Sequence, residues 1–108
     1  MTKYLLIESR DPFESRGVAG DLELATNLAR DGNEVTLFLV QNGVLETRRD
    51  ARMDGLDSVL ASGVEVLADE FSLRERGIRQ NELIDGIKPS ALDIVVDQLA
   101  EGRRTIWL

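Results

Sequence analysis

The feature that most constrains the fold is the alternation, along the whole chain, of short apolar segments with segments of helical spacing. Each apolar segment is rich in β-branched, aliphatic or aromatic residues, and several of the helical segments end at a glycine. Strands that alternate with helices are the signature of βαβ units, whose crossovers are right-handed. The sequence therefore predicts a three-layer α/β/α sandwich with a mainly parallel sheet of four to five strands, in one domain spanning residues 1–108.

Four segments are predicted as strands. They are Lys3–Ser9, Glu34–Val40, Val64–Ala68 and Arg103–Leu108. The second is apolar on both faces after Thr36, as expected of a strand that helices cover from both sides. Trp107 in the last strand is expected in the core, and a contact between subunits is the alternative.

Four helical segments complete the pattern. They are Asp21–Arg30 with Asp21 as N-cap and Gly32 as its stop, residues 45–62 with a break near Asp54-Gly55, a short helix ended by Gly77, and a last helix that Lys88-Pro89-Ser90 begins. In the 45–62 segment the residues expected to be buried are Leu56, Val59 and Leu60. In the last helix they are Leu92, Val95, Val96 and Leu99.

Composition excludes several classes of function. The chain has no cysteine and no histidine, which removes disulfides, thiolate chemistry and the commonest general base and metal ligand. Its net charge of −7 makes nucleic acid an improbable direct partner. Its apolar runs are too short for a membrane helix, and the five-residue apolar core near its N-terminus is too short for a signal peptide. A cytoplasmic location is therefore expected.

The acidic pair Asp69-Glu70 is the main candidate for chemistry, because it follows the third predicted strand. Ligands in parallel α/β proteins bind at the carboxyl ends of strands. One interpretation is a paired carboxylate that holds a hard cation such as Mg²⁺ or acts as acid and base. The other, which general preferences at helix starts favour, is a helix cap. The residues expected to line this pocket are Ser9, Arg10, Asn42, Gly43, Asp69, Glu70 and Ser72. No cofactor is indicated.

Three weaker candidates have structural alternatives. Glu8, Asp11 and Asp69 would converge if the chain resembled response-regulator receiver domains, although the lysine on a fifth strand that receivers need is missing. Gly17–Gly20 before a helix, with Arg10 and Arg16 nearby, suggests an anion site, but a flexible loop is the simpler interpretation. The arginines at 48, 49 and 52 alternate with aspartates at 50, 54 and 57, which favours a solvated, salt-bridged surface.

Taken in order, these features resemble the DsrE/DsrF/DsrH-like family of sulfur-relay proteins over nearly the whole chain. The similarity lies in the helix LELATNLARDG, the segment EVTLFLVQNGV and the arginine-rich helix. It is strongest in GVEVLADEFSLRERGI and NELIDGIKPSALDIVVDQLAEGRRTIWL. The resemblance implies a cytoplasmic α/β protein, usually a trimer or hexamer, sometimes with related subunits. It also implies persulfide transfer on a cysteine at the end of the third strand.

Arg76-Gly77-Ile78 matches the end of the family's short helix. Eight residues before Gly77, at the position of the family's cysteine, this chain has Asp69. A carboxylate carries no persulfide, and no other cysteine is available. We therefore expect a non-catalytic DsrE-like protein, either an oligomer-forming subunit or a binder of a small ligand or partner. The alternative is a carboxylate-based enzyme or metal site at Asp69 and Glu70.

Overall fold

A parallel five-stranded sheet forms the centre of the protein. The structure is a computed structural model that describes residues 1–51 and 54–108. The strands are β1 (Lys3–Glu8), β2 (Glu34–Leu39), β3 (Glu65–Asp69), β4 (Lys88–Ser90) and β5 (Arg104–Trp107). They lie in the order β4-β3-β2-β1-β5, and every neighbouring pair is parallel. The predicted fold class is confirmed.

Within residues 1–51 and 54–108, four α-helices and three 3₁₀ helices connect the strands. The α-helices are α1 (Gly17–Arg30), α2 (Asp54–Ala61), α3 (Glu70–Glu75) and α4 (Asp93–Ala100). The 3₁₀ helices are Gln41–Thr47, Arg49–Ala51 and Gln80–Glu82. The segment predicted as a helix broken near Asp54-Gly55 is thus 3₁₀ at its start, and α-helical from Asp54 onwards. Its predicted core residues Leu56 and Val59 are buried, whereas Leu60 is half-buried.

The sheet buries apolar side chains on both faces, because strand residues alternate between them. On one face, Leu6, Leu37 and Leu39 pack in the larger cluster with residues of α1, α2 and α3. On the other face the smaller cluster consists of Leu5, Ile7, Phe38, Val40 and Leu67, with Ile94 and Val95 of α4 packed against it. One face is therefore covered by three helices and the other mainly by α4.

Helix α1 begins four residues before the predicted start. Residues 17–20, which were assigned to a loop, form its first turn, and Asp21 is an interior residue rather than the N-cap. The apolar stripe starts at Val18, which is buried together with Leu22 and Ala25 at helical spacing. Burial of this valine offsets the roughly 1 kcal/mol that a glycine costs inside a helix. The predicted stop is correct, since Gly32 has a positive φ of 90°.

The prediction for residues 88–90 was wrong. Lys88–Ser90 does not begin a helix but forms the edge strand β4, in which Pro89 lies opposite Ala68. Proline is tolerated there because an edge strand has N–H groups that need no partner in the sheet. Three residues with a proline give too weak a pattern for a strand to be recognised.

The predicted burial of the last helix was also largely wrong. Leu92, Val96 and Leu99 are 61%, 67% and 50% exposed, and Val95 is half-buried. Gln98 is buried instead, and its Nε2 donates to Thr36 Oγ1 at 3.2 Å. Because α4 carries apolar residues on two sides, helical periodicity could not tell which side faces the sheet.

Trp107 is not a core residue either. It ends β5, lies opposite Ile7 of β1 and is 65% exposed. Residues opposite each other in a parallel pair share a face, so Trp107 lies on the α4 side of the sheet. Strand β5 is at the edge of the sheet, and no helix of the described chain covers this tryptophan enough to bury it.

Candidate functional site

The strand order places the expected ligand-binding site at the carboxyl end of β1. The chain runs from β1 through β2 and β3 to β4 on one side, then returns to place β5 on the other side of β1. A reversal of strand order of this kind is a topological switch point, and ligands in open α/β sheets bind there, outside the carboxyl ends of the strands. Sequence reasoning had placed the site at the end of β3.

Buried acidic residues gather at this switch point. Glu8 ends β1 and is fully buried, Asp11 follows it and is nearly buried, and Glu46 on the 3₁₀ helix after β2 is fully buried. Glu8 Oε1 accepts hydrogen bonds from the backbone N and from Nε of Arg10, at 3.2 and 3.3 Å. Arg10 Nη2 in turn donates to Asp21 Oδ2 of α1 at 2.5 Å.

Backbone packing holds Glu46 near Glu8. Val40 N donates to the Glu8 carbonyl at 3.0 Å, which ties the end of β2 to the end of β1. Gly43 then passes so close that a Cβ at this position would overlap the same carbonyl oxygen. The 3₁₀ helix is thereby seated on the end of β1, and its later residue Glu46 is brought into the acidic cluster.

Burial changes the ionisation of both glutamates. It raises the pKa of Glu46 to about 8, and the charges of Glu8 and Asp11 contribute in the same direction. It raises the pKa of Glu8 to about 7, where Asp21 adds to the increase and Arg10 opposes it. At neutral pH, Glu46 is therefore mostly a neutral carboxylic acid.

Asp69 occupies a different network, at the start of α3. Its Oδ2 accepts hydrogen bonds from Ser72 N at 3.0 Å and from Ser72 Oγ at 2.7 Å. The same Oγ accepts from Gln41 N at 2.8 Å, so this hydroxyl links α3 to the end of β2. Asp69 is the N-cap of α3, which is the structural alternative that the sequence offered.

Asn42 joins this second network through Arg76. Asn42 Oδ1 accepts from Nη2 and Nε of Arg76 at 2.9 and 3.2 Å, and Arg76 Nη1 donates to the Ser72 carbonyl at 3.2 Å. The predicted pocket is thus divided between two networks. Asn42, Asp69 and Ser72 lie together at the ends of β2 and β3, whereas Arg10 belongs to the cluster at β1.

The remaining predicted pocket residues differ in burial and surroundings. Glu70 is exposed in the first turn of α3, beside Leu73 and Pro89 in a shallow depression. Ser9 is half-buried after β1, and Gly43 packs on the Glu8 carbonyl. Among residues 1–51 and 54–108, no group of three or more carboxylates is arranged to hold a metal ion.

The convergence of Glu8, Asp11 and Asp69 expected for a receiver does not occur. In receivers the strands that carry these groups are neighbours, as the order 2-1-3-4-5 requires. Here β2 lies between β1 and β3, which puts Asp69 two strand spacings, roughly 10 Å, away from β1. The strand order therefore removes the receiver interpretation.

The other two candidate sites are structural. Arg48 Nε donates to the Leu45 carbonyl at 2.8 Å, and Arg49 Nε donates to the Leu83 carbonyl at 2.9 Å. Arg49 also pairs with the exposed Asp85 at 3.2 Å. Arg52, predicted on the same surface, lies outside the described residues. The proposed anion loop at 17–20 is part of α1, and Arg10 beside it is already engaged by Glu8 and Asp21.

Comparison with known proteins decides the family. The model of the DsrE/DsrF-like family matches residues 2–108. The chain belongs to this family. As a DsrE/DsrF-like protein without cysteine, it has Asp69 at the position where the resemblance places the family's sulfur carrier. No curated protein matches it significantly.

Solved structures share the fold. The ychN protein of E. coli superposes with a TM-score of 0.90 at 21% identity, and the match covers 100% of both chains. MTH1491 of Methanobacterium thermoautotrophicum, described as a protein of unknown function, gives 0.85 at 21% identity and also covers 100% of both chains. BT1422 of Bacteroides thetaiotaomicron gives 0.80 at 18% identity over 98% of this chain and 94% of its own.

Sequence reasoning missed Glu46 altogether. Its neighbours Val44 and Leu45 are apolar, but a single acidic residue between loop and helix is usually exposed. Only Glu8 carried a usable signal, since it ends an apolar strand at the edge where sites are expected.

In the described part of the chain, no helix has the length and apolar character needed to cross a bilayer.

Proposed function

We propose that this DsrE/DsrF-like protein is a non-catalytic subunit that assembles with copies of itself, as a trimer or hexamer, and does not carry sulfur. The observation that carries the proposal is an exposed apolar surface on the α4 side of the sheet. We call it the association face, and it consists of Leu92, Val96, Leu99 and Trp107.

Sulfur transfer is excluded by the chemistry of the residues. A persulfide forms when a cysteine thiolate accepts a sulfur atom, and this chain has no cysteine. Asp69, which stands where the resemblance places the family's cysteine, uses one carboxylate oxygen to cap α3 through two hydrogen bonds. These two hydrogen bonds support a structural role for Asp69.

The aliphatic residues of the association face lie along α4, the helix that covers one side of the sheet. Leu92, Val96 and Leu99 follow each other at spacings of four and three, so they lie on one side of α4, pointing away from the sheet. Trp107 lies on the same side of the sheet, at the end of the edge strand β5. A grouped set of large apolar side chains typically marks a protein–protein contact.

The apolar surface is large enough to matter energetically. Fully burying one aliphatic or aromatic side chain contributes roughly 1.5–3 kcal/mol, and these four are half to two-thirds exposed. A contact that buries the association face of one copy and a similar apolar area of its neighbour would gain on the order of 10 kcal/mol. That gain is comparable with the roughly 4–15 kcal/mol that association costs. The open edge of β5 offers backbone hydrogen bonds that add to it.

Sedimentation velocity with a matched pair of variants tests the proposal. We expect the wild-type protein to sediment as a trimer or hexamer and Val96→Glu to sediment as a monomer, because it places a charge in the centre of the association face. Leu24→Glu is the control, since Leu24 is a partly exposed leucine of α1 on the opposite side of the sheet. A monomeric wild type, or equal effects of the two substitutions, would contradict the proposal.

A further inference from the structure

Glu8 and Glu46 are two buried carboxyl groups, and three of their four oxygens have no hydrogen-bond partner among the described residues. Both side chains are fully buried. In the described part of the chain, both oxygens of Glu46 and Oε2 of Glu8 lack a hydrogen-bond partner. Buried polar atoms are normally satisfied, so three unpartnered oxygens on two buried side chains mark a place where a ligand can be held.

The charges around the pair do not neutralise it. On the β1 side, Arg10 contacts Glu8 Oε1 but also pairs with Asp21 of α1, and Asp11 adds a further negative charge. On the α3 side, Arg76 donates to Asn42 Oδ1 and to the Ser72 carbonyl. Four carboxyl groups therefore face one guanidinium group, and the pair would hold uncompensated charge if both members were ionised.

The ligand that fits this site is a proton. The described residues contain no set of three ligands that would hold a metal ion. An ionised carboxylate buried without a partner costs several kcal/mol, and neutralisation by protonation removes that cost. We propose that Glu8 and Glu46 form a buried proton-binding site. Protonation of the site stabilises the packing at the carboxyl end of β1, and loss of the protons destabilises it.

The sign of the pH dependence follows from the direction of the shifts. The pKa of Glu46 is raised from 4.5 to about 8 and that of Glu8 from 4.5 to about 7. The folded protein thus binds more protons than the unfolded chain between pH 4.5 and 8, so stability from this site is full below pH 4.5 and falls as the pH rises. For each proton released on unfolding, the unfolding constant increases about tenfold per pH unit.

Urea unfolding from pH 5 to 9, at one protein concentration and ionic strength, tests the site. The comparison is between the wild type, Glu46→Gln and a control, Glu23→Gln, which changes an exposed glutamate of α1. We expect the ratio of the wild-type to the Glu46→Gln unfolding constant to increase about tenfold per pH unit up to pH 8 and then to level off. The control should keep the wild-type slope.

Infrared spectroscopy supplies a readout that does not depend on the variants folding. The wild type in D₂O at pH 6.5 should show the C=O band of a protonated carboxyl group, and this band should titrate between pH 7 and 8. Glu23→Gln should retain the band. No such band at pH 6.5, or equal pH slopes for the wild type and Glu46→Gln, would overturn the proposal. The infrared band does not depend on whether the protein self-associates, so this test is separate from that of the proposed function.

Discussion

Asp69 accepts two hydrogen bonds from Ser72, one from the backbone N–H at 3.0 Å and one from the side-chain hydroxyl at 2.7 Å. This pair closes the first turn of α3 and, through the contact of the hydroxyl with Gln41 N, joins α3 to the end of β2. The position where the family resemblance expects a sulfur carrier is therefore occupied by a side chain that stabilises the fold.

Replacing Asp69 tests that structural role. Asp69→Ala removes an N-cap, which typically costs about 0.5–2 kcal/mol of stability. It also leaves the Ser72 amide at the buried start of α3 without a partner. Asp69→Asn keeps an acceptor oxygen and should retain most of the stability. Urea unfolding measures both variants, and an Asp69→Ala variant as stable as the wild type would contradict the capping role.

Two glycine substitutions should have opposite effects. Gly43→Ala would place a Cβ against the Glu8 carbonyl, and the resulting shift of the 3₁₀ helix should cost about 1–3 kcal/mol. Gly20→Ala lies in the first turns of α1 with open space around its Cβ, and should stabilise the protein by about 0.4–1 kcal/mol. Thermal unfolding followed by circular dichroism measures both.

If the two glycines had equivalent surroundings, the two substitutions would change the melting temperature by the same amount. Equal changes in melting temperature, or a Gly43→Ala variant more stable than the wild type, would show that the close approach to Glu8 is not required.

The fluorescence of Trp107 should report assembly. It is the chain's single tryptophan and is 65% exposed in the isolated chain. If the association face becomes buried, its emission should move to shorter wavelengths as protein concentration rises. Added salt should favour the shift at a given concentration, because copies with a net charge of −7 repel each other less when screened.

Val96→Glu serves as the control for this measurement, since it should keep the emission of an exposed tryptophan at all concentrations. An emission maximum of the wild-type protein that does not change with concentration or salt would contradict burial of Trp107 on assembly.

The parts of the fold that sequence could predict are those with a local signal. Glu34–Leu39 was recognised because β-branched and aromatic residues cover both faces of a central strand. The glycines that end helices, such as Gly32 and Gly77, were recognised because glycine adopts positive φ more readily than any other residue. The edge strand at 88–90 and the orientation of α4 lacked such a signal.

The candidate site could be predicted only in part, because a buried carboxyl group has no sequence signature of its own. Glu8 lay within the range expected for a strand end, and Asp69 was recognised as a possible cap. Glu46 was not, since its burial depends on packing between segments far apart in the chain, such as the close approach of Gly43 to the Glu8 carbonyl.

The sequence by itself determined two properties of this protein: a parallel α/β architecture, through the period of its apolar residues, and the exclusion of persulfide chemistry, through its lack of cysteine. Only the tertiary structure decided which strand end forms the site and which side of α4 is exposed. The physical reason is that periodicity specifies which residues are buried within one element, whereas strand order and helix orientation depend on contacts between elements.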